Sequence, residues 1–185
     1  MFYRVVFDSS IKNYTHFREP TTAEGKCVDA WSFLGEGVWK GKEQLFIGAQ
    51  NLGAVYDMNM GAFDLPIAGT KVKHIFEQDQ HFSLEVQFIP VSYNSAIYFI
   101  LNPLLVVDCL DEQRSKVLKW IEKDGRPEKV GEYRQVINLH VDPERLGGVD
   151  ICRIKGWVVA IIFSERLVKI LKKEEIKGVK FEKVV

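Results

Sequence analysis

The residues that most resemble chemistry are a cysteine set between acids, Asp108, Cys109 and Asp111, with Ser115 four positions on, in the run Val106-Val107-Asp108-Cys109-Leu110-Asp111-Glu112-Gln113-Arg114-Ser115. A thiol beside carboxylates suggests a nucleophile with a nearby base, or a mixed metal-ligand set. Strand geometry argues against both. Neighbouring residues on a strand point to opposite faces, so Asp108 and Cys109 cannot meet one ion without a sharp bend. Hard carboxylate and soft thiolate are also a poor match for a single metal. The run therefore reads as structural, with Cys109 filling core space at a strand end. Asp108 and Asp111 satisfy the N–H groups of the following turn, and Asp111 caps a helix beyond it.

The other candidates are dispersed. His16, His74, His81 and His140 form no paired ligand spacing. His140 and Asp142 share a strand face and could orient an imidazole, but a histidine at a strand end is the plainer reading. Gly35-Glu36-Gly37 lacks the later glycine and the strand–helix setting of a dinucleotide loop. Cys27, Cys109 and Cys152 are an odd set with no C-x-x-C, and read as reduced, buried thiols rather than a disulfide framework or a zinc ribbon. No catalytic residue, metal or cofactor is expected.

The elements that hold these residues follow from patterning. The chain has 185 residues, 46% hydrophobic, with 25 basic and 25 acidic side chains, which suits one globular unit and gives no reason to expect nucleic acid as a partner. The longest apolar run, 96–107, is broken by Asn102 and Pro103, so no membrane span is expected. The N-terminus lacks the pattern of a signal peptide, and the cytoplasm is the expected location.

Strands are expected at 2–7, 84–91, 96–101, 104–109, 133–141, 151–154, 157–163 and 179–184. Helices are expected at 69–80, with Thr70 as cap, at 112–122, and at 164–174, capped by Ser164. A short helical turn should follow Asp142-Pro143, and Glu19-Pro20-Thr21-Thr22 should be a loop. The segments 70–88 and 164–184 read alike, as a helix stripe, a loop and an alternating strand. The fold class is α+β, a mixed, largely antiparallel sheet with short helices packed on one face.

Half of the fourteen glycines fall between Gly35 and Gly69, among aromatic residues. This divides the chain into a glycine- and aromatic-rich part, 1–67, and an α+β part, 68–185, expected to form one compact unit. Trp31, Trp39, Tyr56 and Phe63 on such loops are candidate anchors for a partner. The alternative is that they form a small core beneath the loops.

The C-terminal part carries a string of motifs in order. Tyr98-Phe99-Ile100-Leu101-Asn102 leads into the Asp108–Ser115 run. Leu139-His140-Val141-Asp142-Pro143-Glu144-Arg145, Asp150-Ile151-Cys152-Arg153-Ile154 and Ile162-Phe163-Ser164-Glu165-Arg166-Leu167 follow, and Ile176-Lys177-Gly178-Val179-Lys180-Phe181 ends it. Over roughly 68–185 the sequence resembles immunity-protein family eleven of bacterial polymorphic toxin systems. That resemblance implies a cytosolic protein that binds a cognate protein toxin, blocks its active surface and needs no catalytic residues. It brings no residue-level binding site. A small enzyme with a dispersed site and an oligomerising structural subunit are the alternatives.

Overall fold

The computed structural model describes residues 1–184. In chain order the elements are β1 (Phe2–Phe7), β2 (Phe17–Thr21), β3 (Leu45–Ala49), β4 (Met58–Met60), β5 (Pro66–Ala68), α1 (Thr70–Glu77), α2 (Gln80–Glu85), β6 (Val86–Tyr93), β7 (Ala96–Pro103), β8 (Val106–Val107), β9 (Lys116–Lys119), β10 (Tyr133–Ile137), α3 (Pro143–Leu146), β11 (Ile151–Ile154), β12 (Trp157–Ser164), α4 (Glu165–Lys173) and β13 (Val179–Lys183). The fold is α+β and mostly sheet. The strands form three sheets, ordered β13-β1-β12-β11-β8, β2-β3-β6-β7-β5-β4 and β10-β9. Among the described strands only β3–β6 and β8–β11 pair in parallel, and Tyr14 and Ala54 form an isolated parallel bridge.

The two helix–strand segments that read alike build the same topology. β5 and β6 both pair antiparallel with β7, so they run parallel to each other with β7 between them, joined by α1 and α2. β12 and β13 likewise flank β1, joined by α4. Each is a β-α-β crossover split by an antiparallel strand, and in the second that strand comes from the N-terminus. The helices meet in one core. Val72, Ile75 and Phe76 of α1 and Leu167, Val168 and Leu171 of α4 share a cluster with Met60 and Leu101 of one sheet and Val5 and Phe163 of the other. Phe76 lies at its centre, with ring centroids 5.4 Å from Phe88 and 6.0 Å from Phe163. Truncating such a fully buried ring to alanine costs about 3–5 kcal/mol.

The period of two sorts the residues of β12. Ile161 and Phe163 enter the central cluster, while Ala160 and Ile162 enter a second cluster with Cys109, Cys152 and Val141. A polar clamp crosses the seam between the two crossovers. Glu85 Oε2 accepts from the backbone N–H groups of Asp150 and Ile151, both at 2.8 Å. Arg166 pairs with Asp150 and, at 2.7 Å, with Asp79.

Local chemistry explains several elements and corrects others. Ser164 Oγ accepts from Leu167 N at the start of α4, and Asp142 from Glu144 N at the start of α3. Lys155-Gly156 makes the turn between β11 and β12. The helix expected at 69–80 is α1, which ends at Glu77 and has Thr70 as its first residue and not its cap; a second helix, α2, follows and takes Leu84 and Glu85 from the strand expected at 84–91. Gly69 caps the first, without a side-chain bond, and Asp79 caps the second by accepting from His81 N. The loop expected at 19–22 is largely strand β2, an edge strand of its sheet, where a proline is tolerated. The helix expected at 112–122 is a turn followed by β9, because Val117 packs into a core beside Val136 through sheet pairing. Cys27 is exposed, not buried.

Candidate partner-binding cleft

The Asp108–Ser115 run serves the fold. Cys109 is wholly buried and Asp108 is exposed, but the strand expected at 104–109 is only β8, and both residues lie in a tight turn past its end, where Cys109 N donates to Val107 O at 3.0 Å. Asp111 Oδ1 accepts from Gln113 N at 3.0 Å and Arg114 N at 3.1 Å, so it caps a turn and not a helix. Ser115 Oγ accepts from His140 N at 2.9 Å and donates to His140 O at 3.3 Å. These bonds fasten the base of the β9–β10 hairpin beside the isolated bridge between Leu110 and Val141; the strand expected at 133–141 ends at Ile137. Cys109 and Cys152 lie side by side. Their contact, with burial, holds the Cys152 thiol far above the ordinary range, and the same contact lowers Cys109. Among the described residues, no group of three or more His, Cys, Asp or Glu side chains is arranged to hold a metal ion.

The four aromatic candidates of the N-terminal part separate into two kinds. Trp39 packs on Phe33 at 5.3 Å and Tyr56 stacks on Tyr14 at 5.9 Å, both half-buried. Trp31 and Phe63 are exposed, with ring centroids 5.4 Å apart. A 3-10 turn at Ala30–Phe33 explains Trp31. Asp29 accepts from Trp31 N, Ala30 and Phe33 turn into the core, and the indole is left outside. Phe63 sits at φ 55°, ψ 37°, followed by Asp64 at φ 56°. A left-handed conformation in a bulky residue costs on the order of 1–3 kcal/mol, and here it accompanies a ring held out against Trp31.

Trp31 and Phe63 form one wall of a cleft of about 370 Å³. The facing wall is the β9–β10 hairpin, with Trp120, Arg126 and Lys129 from its loop and Arg134 from β10, and the β11–β12 turn and the start of β12 supply Gly156 and Trp157. Three of the chain's four tryptophans therefore meet at one place. Gly156 has φ +77°, and a Cβ there would lie 3.2 Å from the Tyr133 ring, so glycine lets β10 close over the turn. Tyr133 N donates to Gly156 O at 2.9 Å. The Tyr133 hydroxyl bonds Glu112, and burial together with that carboxylate pushes its pKa up.

Cations and indoles interleave in the cleft. The Lys129 ammonium lies 4.1 Å from the Trp31 ring centre and 5.9 Å from that of Trp120, and the Arg134 guanidinium lies 5.0 Å from Trp120. Arg134 also pairs with Asp124 at 2.8 Å and Arg126 with Glu128 at 3.4 Å. Lys129 forms no ion pair among the described residues. Beneath the floor lies Arg153, fully buried. Its Nη1 donates to the carbonyl of the floor residue Val158 at 2.7 Å, while Nε and Nη2 have no partner among the described residues. Burial lowers its pKa to about 10, which still leaves it cationic at neutral pH.

The hairpin also carries uncovered apolar surface. Of the eleven large hydrophobic residues exposed in the described structure, Leu118, Ile121, Val130 and Ile137 lie on the hairpin, and Trp31 and Phe63 face it across the cleft. Reading residues 112–122 as a helix hid these positions. The signal that could have found them is the strand alternation of Lys116-Val117-Leu118-Lys119, with valine inward and leucine out.

No curated protein matches the chain. The strands, helices and hairpin from Val72 onward are the part that matches a known family, and the match covers residues 72–185, more than half of the chain. The protein belongs to the Immunity protein family (Imm11).

Proposed function

We propose that the chain neutralises a cognate protein toxin by binding it stoichiometrically and covering its active surface, and that the cleft and the β9–β10 hairpin form the docking face. The observation that carries this reading is the gathering of exposed apolar side chains on the hairpin and across the cleft. Scattered single hydrophobic residues need no explanation, but here four gather on one hairpin beside charged residues, with Trp31 and Phe63 across the cleft, and such clustering marks an interaction surface. Aromatic side chains with arginines beside them are also the composition of interface hot spots. A contact of ordinary size, about 1,200–2,000 Å² in total, would extend beyond the cleft over the hairpin.

On this reading the protein acts by occlusion, needs no catalytic side chain or cofactor, and works in the cytoplasm. Its N-terminal and C-terminal parts act as one unit, because Trp31 and Phe63 belong to the first and the hairpin to the second. The test is co-expression with the toxin that this reading requires, sought first in the open reading frame beside this gene. Growth should be rescued by the chain, and a one-to-one complex should be recovered. A toxin that stays active in the presence of excess folded chain contradicts the reading.

A further inference from the structure

We infer that the cleft is built to receive an acidic side chain of the bound protein, flanked by an apolar or aromatic residue that lies against Trp31 and Trp120. The inference rests on the docking face proposed above and adds the chemistry of what enters it.

Charge placement carries the argument. The chain as a whole has 25 basic and 25 acidic side chains, so the sign of the cleft comes from arrangement and not from composition. Arg126, Lys129 and Arg134 line it against Glu132 alone. Arg126 and Arg134 have carboxylates of their own, Glu128 and Asp124. Lys129 does not. It is half-buried, and its ammonium rests on indole faces. Arg153, which has no carboxylate partner among the described residues, adds a second cation behind Val158, where low polarisability lets its field reach further than a solvated charge would. The two cations together favour an anion in the space above Val158.

The rival occupant of an aromatic pocket is a cation held on ring faces. Lys129 already occupies the Trp31 face, and Arg153 opposes any further positive charge. A carboxylate has a different effect. It pairs with Lys129, and the partner's neighbouring apolar side chain takes the indole surface that the ammonium leaves. Such a rim charge governs association rate and salt dependence, while the aromatic contact governs dissociation.

The test uses the ¹⁵N-labelled full chain and the indole N–H resonances of its four tryptophans. The probes are the tetrapeptide Ac-Phe-Asp-Glu-Phe-NH₂, its counterpart Ac-Phe-Lys-Lys-Phe-NH₂, and oligothymidylate. The acidic peptide should shift the Trp31 and Trp120 signals with a Kd on the order of millimolar, weaken with added salt, and leave Trp39 unmoved. Lys129→Gln, with its unfolding midpoint measured alongside, should weaken that binding about tenfold. An absence of shifts at about ten times that concentration, equal or tighter binding of the lysine peptide, tighter binding of oligothymidylate, or an unaltered affinity in the variant overturns the inference. The docking reading is judged separately by titrating the toxin domain into Trp31→Ala/Trp120→Ala. Unchanged toxin affinity there rejects the docking face, and the peptides alone then decide what the cleft prefers.

Discussion

The Lys129 ammonium stands 4.1 Å from the ring centre of Trp31, so a loop of the β9–β10 hairpin is tied to the N-terminal part of the chain by a cation on an indole face. The contact closes one side of the cleft and fixes the two walls relative to each other. Lys129→Met keeps the aliphatic stem and removes the charge. It should lower stability by about 0.5–2 kcal/mol in urea unfolding, and Lys129→Arg should restore most of the loss. A methionine variant as stable as the parent removes the clamp from the account.

Glu85 gives a pH dependence of known sign. Burial raises its pKa above the ordinary glutamate value, although two backbone N–H donors and Arg166 oppose the shift. A carboxyl whose folded pKa is raised favours folding most below its unfolded pKa, and that contribution is lost as pH rises through the folded pKa. Relative to Glu85→Gln, the parent should therefore gain stability as pH falls from neutral into the glutamate range. Glu85→Ala strands the N–H groups of Asp150 and Ile151 and should cost about 1–3 kcal/mol at any pH. Parallel stability–pH curves for parent and glutamine variant contradict this.

The thiols should separate by reactivity. Cys27 is exposed and Cys109 and Cys152 are buried. Native protein should release one equivalent in a thiol-exchange assay, and denatured protein three. The Cys27 pKa is raised by desolvation and by Glu19 and Asp29, so the native reaction should speed up with pH up to and beyond the ordinary cysteine range. Rapid labelling of all three thiols under native conditions would show that the second core is open.

A fragment spanning 68–185 should not fold cooperatively. It lacks β1, the strand between β12 and β13, and β4, whose Met58 N–H bonds Lys177 O at 3.0 Å. Gly178 lies at that seam with φ +104°, and a Cβ there would fall 1.8 Å from Met58 O, so Gly178→Ala should destabilise the full chain severely. A sharp unfolding transition from the fragment would make the C-terminal part an independent domain.

Local signals were legible where one strong pattern acted alone. The Ser164 cap with the Leu167, Ile170 and Leu171 stripe predicted α4, in which Val168 also turns out to be buried, and Asp142-Pro143 predicted α3. The β11–β12 hairpin followed from its turn. Residues 112–122 were misread because helix propensity and strand pairing compete there, and pairing with β10 decides. The placement of β1 between β12 and β13 is a long-range event with no local trace. The same holds for the cleft. Trp31 and Phe63 stood out as aromatics among glycines, but their separation from Trp39 and Tyr56 depends on which rings find a core partner. Trp120 and Lys129 carry no motif, Arg153 stands in the Asp150–Ile154 string without any sign of a role, and only the tertiary fold brings the three together.

The most direct test of the account is calorimetric titration of the proposed cognate toxin domain into the parent chain and into Trp31→Ala/Trp120→Ala, with unfolding midpoints measured for both. The account predicts a one-to-one complex for the parent and a loss of at least about thirtyfold in affinity for the folded variant, the scale of a lost hot spot. Equal affinity for two equally folded proteins would contradict it.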